Sequence, residues 1–187
     1  MRAVRNRIPR PATLLLGLGL VSPVPGLAKV PMILPGGELP KLRGELLSGR
    51  SIVLPDSARG SGLLLLLGFT YESRHDVEAW AERFRRDFGA DPTLRCYEVP
   101  VIGGVARLAR PFIDGGMRNG TPRALQERVI TVYRDAGVWK QRVGFSERDA
   151  AYLLLVDGEG RVVWRAHGPF SEERYGSLAE RVHGLPQ

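Results

Sequence analysis

The clearest hydrophobic pattern in the chain is the run Leu63–Phe69, which shows no alternation of apolar and polar residues. Such a run predicts a strand that is buried on both faces of a sheet. From Ser73 onward the spacing becomes that of an amphipathic helix, with apolar residues at Val77, Trp80, Ala81, Phe84 and Phe88. Thr93–Ile102 then predicts a second strand, so this part of the chain forms a strand–helix–strand unit.

The C-terminal third predicts a hairpin followed by a helix. Ala151–Val156 and Arg161–Ala166 have strand character, and the acid and glycines between them suit a tight turn. Ser171 is placed to cap a final helix. Together these elements predict an α/β domain, 50–187, in which a central mixed sheet is covered by helices on both faces. We expect the first and last helices to lie on opposite faces.

The N-terminal residues 1–28 predict a signal peptide. A basic segment precedes the apolar stretch Ala12–Val21, and small residues lead to a cleavage point after Ala28. The alternatives are an uncleaved leader, which would keep the domain near a membrane, and an organellar transit peptide. We expect an exported protein, periplasmic or envelope-associated, or mitochondrial in a eukaryote. Residues 29–49 are rich in proline and glycine and predict an extended arm.

The charge of the chain does not favour a nucleic-acid partner. The formal net charge is +7, but the leader holds four arginines and no acid, so the remainder carries only +3. A nucleic-acid-binding domain is usually far more basic than this.

Cysteine and histidine usage limits the available chemistry. Cys96 is the only cysteine, so a dithiol cycle within the chain is excluded. We interpret Cys96 as a buried apolar residue of the second strand, and the alternative is a reactive single thiol. His75, His167 and His183 lie far apart without metal-ligand spacing, so no metal or cofactor site is predicted.

Three stretches carry a resemblance to a known superfamily. Leu42–Asp56, the run "LLLLLGF" and the hairpin "AAYLLLVDGEGRVVWRAHG" resemble thioredoxin-like domains over about residues 40–185. Within this range Gly144–Glu173 is similar to the C-terminal part of the mitochondrial ATPase complex subunit ten family. That narrower resemblance implies a thioredoxin-like protein that helps to assemble the membrane sector of ATP synthase.

Two departures from the superfamily pattern bear on activity. Thr70-Tyr71-Glu72-Ser73 occupies the place of the cysteine pair, and Ala151 occupies the place of the cis-proline before the hairpin strand. Unlike an activated thiol, a serine hydroxyl is not ionised near neutral pH, and Ser73 has no histidine–carboxylate pair in the sequence to act as its base. No catalytic residue is therefore predicted. We interpret Ser73 as the helix cap and Tyr71 as an exposed aromatic residue.

The remaining candidate chemistry is protein binding. Met117–Asp149 mixes aromatic residues with arginines, a composition typical of protein interfaces, although the apolar members also suit a core. The sequence therefore predicts a redox-inactive assembly or folding factor for a partner protein such as a membrane-complex subunit. The alternative is a single-thiol redox enzyme or sensor that uses Cys96. The candidate partner-contact residues are Thr70, Tyr71, Glu72, Ser73, Trp139, Arg142, Phe145 and Arg148.

Overall fold

The computed structural model of the chain describes residues 30–186. Seven strands lie within this range: β1 (Leu42–Leu46), β2 (Ser51–Leu54), β3 (Gly62–Gly68), β4 (Leu94–Pro100), β5 (Ile130–Thr131), β6 (Tyr152–Val156) and β7 (Val162–His167). The predicted signal peptide, 1–28, lies outside the described residues.

Four α-helices accompany these strands: α1 (Arg74–Phe88), α2 (Arg110–Gly120), α3 (Ala136–Val143) and α4 (Glu172–His183). Shorter 3-10 helices span Asp56–Ala58, Gly104–Ala109 and Arg123–Arg128. Within residues 30–186, no helix has both the length and the apolar character needed to cross a membrane.

The central sheet is mixed, as the sequence predicts. Its strand order is β4-β3-β6-β7; β3 pairs parallel with β4 and antiparallel with β6, and β6 pairs antiparallel with β7. The buried run therefore lies in the interior of the sheet, because strands flank it on both sides.

A second sheet is built around β1, which lies where the sequence predicts only an extended arm. β1 pairs antiparallel with β2 and with β5, in the order β2-β1-β5. Leu42 and Leu46 of β1 are almost completely buried. The proline and glycine content of 29–49 therefore describes only its first part, and the second part is a strand because its two leucines contribute to the core.

One face of the central sheet carries both α1 and α4. Leu64 and Leu66 of β3 lie in one apolar cluster with residues of both helices, including Trp80 and Leu178. The Trp80 ring packs edge-on against Phe170 at 5.3 Å between centroids, immediately before α4. The prediction that these two helices lie on opposite faces is therefore wrong. Trp80 Nε1 of α1 donates to the Gly168 carbonyl at 3.2 Å directly after β7, so the chain enters α4 on the face that α1 covers.

The other face is covered by α3 and by the second sheet. Leu65 of β3 lies in an apolar cluster with Trp139 of α3, Leu42 of β1 and Ile52 of β2. Helices thus lie on both faces of the central sheet, as the sequence predicts. On this second face, strands of the second sheet cover the part of the core that α3 does not.

Candidate functional site

The Thr70–Ser73 turn is closed by its own hydrogen bonds. The Ser73 hydroxyl donates to the Thr70 carbonyl at 2.8 Å and accepts from the Thr70 amide at 3.2 Å. The Ser73 amide donates to Thr70 Oγ1 at 3.1 Å. Ser73 has no exposed surface, so it does not contact a partner directly.

Ser73 does not cap α1 in the predicted way. Its backbone is already helical, with φ −61° and ψ −14°, and its side chain makes no capping bond to the helix. The hydroxyl is directed back to Thr70 because the turn packs tightly on β3. A Cβ atom at Gly68 would lie 2.7 Å from Ser73 Oγ, so the strand needs glycine here.

The turn joins the segment after α3, which the sequence selects independently. Thr70 Oγ1 donates to Asp149 Oδ1 at 2.8 Å, and the Phe69 ring lies 5.3 Å from that of Phe145. We call the combined surface the turn surface; it consists of Thr70, Tyr71, Glu72, Phe145 and Arg148. The structure thus brings together five of the eight predicted contact residues.

Tyr71 is the aromatic group that the turn surface exposes to solvent, as the sequence predicts. Its side chain is 70% exposed, and the Arg74 guanidinium lies 4.0 Å from its ring centroid. Arg74 Nη1 also donates a hydrogen bond to the Tyr71 hydroxyl. These two contacts restrict the ring without covering its outer face, which lowers the entropy lost when a partner packs on it.

Two other predicted contact residues do not join this surface. Trp139 is 2% exposed and packs in the core, so the interpretation of its ring as a partner contact does not hold. The half-buried Arg142 guanidinium lies 4.9 Å from the Trp139 ring centroid, and burial lowers the pKa of Arg142. Helical spacing alone does not distinguish an aromatic core residue from an interface residue.

An aromatic cluster supports the turn surface from below. The Tyr152 ring lies 5.6 Å from Phe69 and 5.7 Å from Phe145. The Tyr152 hydroxyl accepts from the amides of Ser146 and Glu147, both at 2.8 Å. Tyr152 therefore fixes the backbone that carries Phe145. The sequence analysis missed this role, although Tyr152 follows the Ala151 position directly.

A cavity of about 270 Å³ opens beside Phe69. Val101, Gly103, Ala136 and Lys140 contribute to its walls, so it lies where β3 and β4 end and α3 begins. Lys140 Nζ lies 5.9 Å from the Phe69 ring centroid. This Phe69 cavity combines apolar side chains with glycine backbone and one ammonium group. It suits an apolar side chain whose neighbouring carbonyl or carboxylate contacts the lysine.

Alanine at the position of the expected cis-proline has its own structural use. The Ala151 backbone amide lies near the Asp76 carboxylate and acts against the rise of its pKa. Proline has no amide hydrogen, so a proline here would leave Asp76 without this partner. Partial burial raises the pKa of Asp76, and the nearby Glu147 charge raises it further.

Cys96 lies inside the protein, on the face of the sheet that α1 and α4 cover. It is 4% exposed, and burial, with a smaller effect of Glu98, raises the pKa of the thiol to about 12. Thiolate is therefore scarcely populated at neutral pH. Within residues 30–186, no three side chains of His, Cys, Asp or Glu are grouped to hold a metal ion.

Solved structures similar to this chain are thioredoxin-like. One is the thioredoxin domain of a thiol-disulfide oxidoreductase from Bacteroides vulgatus, with TM-score 0.53, 17% identity, and coverage of 80% of this chain and 99% of that chain. Another is BsSco, a member of the Sco family of cytochrome c oxidase assembly proteins in which a disulfide switch is identified. Its TM-score is 0.56, at 15% identity, over 82% of this chain and 96% of that chain.

A third similar structure is the exposed lipoprotein thioredoxin Etrx1 from Streptococcus pneumoniae strain TIGR4. Its TM-score is 0.53 at 11% identity, over 78% of this chain and 100% of that chain. Identities this low establish the fold alone, and the fold of this chain is thioredoxin-like. No protein-family model and no curated protein matches the chain. The resemblance to the ATPase subunit ten family therefore rests on Gly144–Glu173 alone.

Proposed function

We propose that this protein binds a polypeptide segment of a partner at the turn surface and acts as an assembly or folding factor without thiol chemistry. The observation that carries the proposal is the Thr70–Ser73 turn. It occupies the place of a redox motif, uses its polar groups to close on itself, and presents Tyr71 two residues beyond the Phe69 cavity.

The chemistry of the turn surface supports a polypeptide ligand. Tyr71 offers a broad aromatic face, and the Phe69 cavity has room for an apolar side chain. Glu72 and Arg148 are exposed charges of opposite sign, and Lys140 adds a cation at the cavity. An aromatic centre with a mixed polar rim is the usual composition of a protein-binding surface.

The state of Cys96 supports a function without catalysis. The single-thiol alternative requires a thiol that meets its substrate and ionises near neutral pH, whereas Cys96 is buried with a raised pKa. Dithiol exchange within the chain is excluded because there is no second cysteine. Recognition by shape and charge is the remaining use of the turn.

Export and a membrane-complex partner are part of the proposal. The leader 1–28 has the pattern of a signal peptide, and one structural neighbour is described as an exposed lipoprotein. Another neighbour belongs to a family of cytochrome c oxidase assembly proteins. The resemblance of Gly144–Glu173 to the ATPase subunit ten family extends the proposal to the membrane sector of ATP synthase.

The test of polypeptide binding is site-specific crosslinking in cells. A photo-crosslinking amino acid in place of Tyr71 should capture one defined membrane-complex subunit, and the same group in place of the exposed Glu180 on α4 should not. Phe145→Ala should reduce capture at position 71 by about tenfold, since it removes an aromatic contact of the surface. Equal capture from positions 71 and 180 would contradict the proposal.

The ATP synthase role has a separate test. Cells depleted of this protein should accumulate incomplete ATP synthase on native gels, and the wild-type gene should restore the full complex. Fully assembled ATP synthase in depleted cells would exclude ATP synthase as the partner. It would not contradict polypeptide binding at the turn surface.

A further inference from the structure

Helix α2 buries an acidic side chain, Asp114, on the side that faces the protein. Asp114 is 4% exposed and accepts from the Tyr133 hydroxyl at 2.7 Å and from Arg110 Nε at 3.3 Å. Arg110 also donates to Glu45 Oε2 at 2.6 Å, which links the helix to β1. The helix is therefore held by a hydrogen-bonded acid on the side where apolar residues are usual.

Three large apolar side chains of this region are exposed. Val105, Leu108 and Phe112 are 85%, 82% and 86% exposed, respectively. Their spacing of three and four residues places them in one row across the 3-10 helix and the first turn of α2. We call this row the apolar ridge. Its members are the most exposed large apolar side chains among residues 30–186.

The exposed charge beside the apolar ridge is positive. Between Val99 and Gln126 the only acid is Asp114, which is buried. Arg118 and Arg123 lie in the same stretch and are exposed. The next acid, Glu127, is paired with Arg50 at 2.7 Å. No free acid within this part of the described chain offsets the two arginines.

We propose that the apolar ridge docks this protein on an anionic lipid bilayer, with Val105, Leu108 and Phe112 among the headgroups and Arg118 and Arg123 against lipid phosphates. A row of protruding apolar side chains flanked by arginines is the composition of an interfacial membrane-binding segment. Each arginine adds electrostatic attraction between the protein and an anionic lipid surface.

The membrane-docking site is separate from the turn surface and does not depend on the proposed polypeptide binding. Gly103 and Gly104 line the Phe69 cavity and directly precede the apolar ridge. A protein docked through the ridge would therefore hold that cavity close to the bilayer. This arrangement suits a partner segment that emerges from a membrane complex.

The test uses the full chain with a fluorescent probe whose emission reports polarity. A nitrobenzoxadiazole group is attached to Phe112→Cys and, as the control, to Glu180→Cys on α4. Cys96 is buried, so native-state labelling is directed to the introduced thiol. Vesicles of phosphatidylcholine with phosphatidylglycerol should shift the emission at position 112 to the blue and leave position 180 unchanged. Phosphatidylcholine alone should produce a much smaller shift at position 112.

Charge and ridge variants separate the docking site from the leader, which is present in every sample. Arg118→Gln and Arg123→Gln should each weaken binding to the anionic vesicles by roughly fivefold. Phe112→Ser, at a fully exposed position, should weaken binding by about tenfold without changing the circular dichroism spectrum.

Two results would overturn the proposal. The first is vesicle binding with no emission change at position 112, which would assign membrane attachment to the leader. The second is a blue shift at position 112 without lipid that grows with protein concentration, which would assign the ridge to contact with a second copy of the chain.

Discussion

Single residues at the turn carry functions that differ from those expected of their type. Ser73 closes the turn through Thr70 instead of capping the helix, and Ala151 places near Asp76 a backbone amide that a proline lacks. Cys96 lies in the core, beneath α1. The burial of Cys96 is as the sequence predicts, whereas the proximity of Ala151 to Asp76 joins residues far apart in the chain.

The burial of Cys96 predicts slow alkylation in the native protein. Iodoacetamide at neutral pH should label Cys96 only as fast as the surrounding core opens, and labelling should be complete within minutes in denaturing urea. The physical reason is that the thiol is inaccessible and that burial raises its pKa. The measurement is mass spectrometry of timed samples. Rapid native labelling would instead favour the single-thiol redox reading.

The raised pKa of Asp76 predicts that its contribution to folding stability depends on pH. Burial raises its pKa, so the folded protein binds this proton more tightly than the unfolded chain does. The resulting stabilisation is complete below about pH 4 and is lost as the pH rises through the folded-state pKa. Asp76→Asn keeps an oxygen acceptor for Ala151. It should raise the free energy of unfolding at neutral pH by less than about 1 kcal/mol, because solvent screens the carboxylate.

The check on Asp76 is urea denaturation from acid to neutral pH, with Glu78→Gln on the exposed side of α1 as the control. The gain from Asp76→Asn should vanish in acid, and the control should show no such trend. A gain that is equal at every pH would mean that titration of Asp76 is not its source.

At the scale of elements, periodicity predicted strands and helices well where one apolar pattern dominates. β3, α1, β6 and α4 were all recognised from spacing. β1 was missed because glycine and charged residues separate its two buried leucines. β5 is short, since only Ile130 and Thr131 pair with β1.

We expect the hydrogen bonds of the buried Asp114 carboxylate to stabilise α2. Asp114→Ala removes the acceptor of the Tyr133 hydroxyl and of Arg110 Nε, so it should lower the free energy of unfolding by about 1–3 kcal/mol. Hydrogen exchange should accelerate most across residues 110–120. Arg118→Ala on the exposed side is the matched control, for which we expect less than about 0.5 kcal/mol. Equal effects of the two substitutions would show that the buried acid does not hold the helix.

At the scale of the whole molecule, β3 joins two apolar clusters. Leu65 faces the cluster with α3 and the second sheet, and Leu66 faces the cluster with α1 and α4. Because one strand contributes to both, loss of packing on either face should weaken the entire fold.

The shared strand predicts cooperative unfolding. Leu65→Ala and Leu66→Ala should each lower the free energy of unfolding by about 3 kcal/mol, since each leaves a cavity in a fully buried site. Both variants should still unfold in a single transition by circular dichroism and tryptophan fluorescence. Leu34→Ala, which is 58% exposed, serves as the control. A second transition in either variant would show that the two clusters unfold independently.

The sequence by itself determined the central strand, the helix after it, the hairpin, the absence of a dithiol motif and the stretches that form the turn surface. These follow from the spacing of apolar residues and from residue identity, which are local properties of the chain. Tertiary structure alone decided which face α4 covers, that Trp139 is core, and that Phe145 meets Phe69. It also decided that Asp114 is buried on the inner side of α2, because the Tyr133 hydroxyl reaches it only when separate segments of the chain pack together.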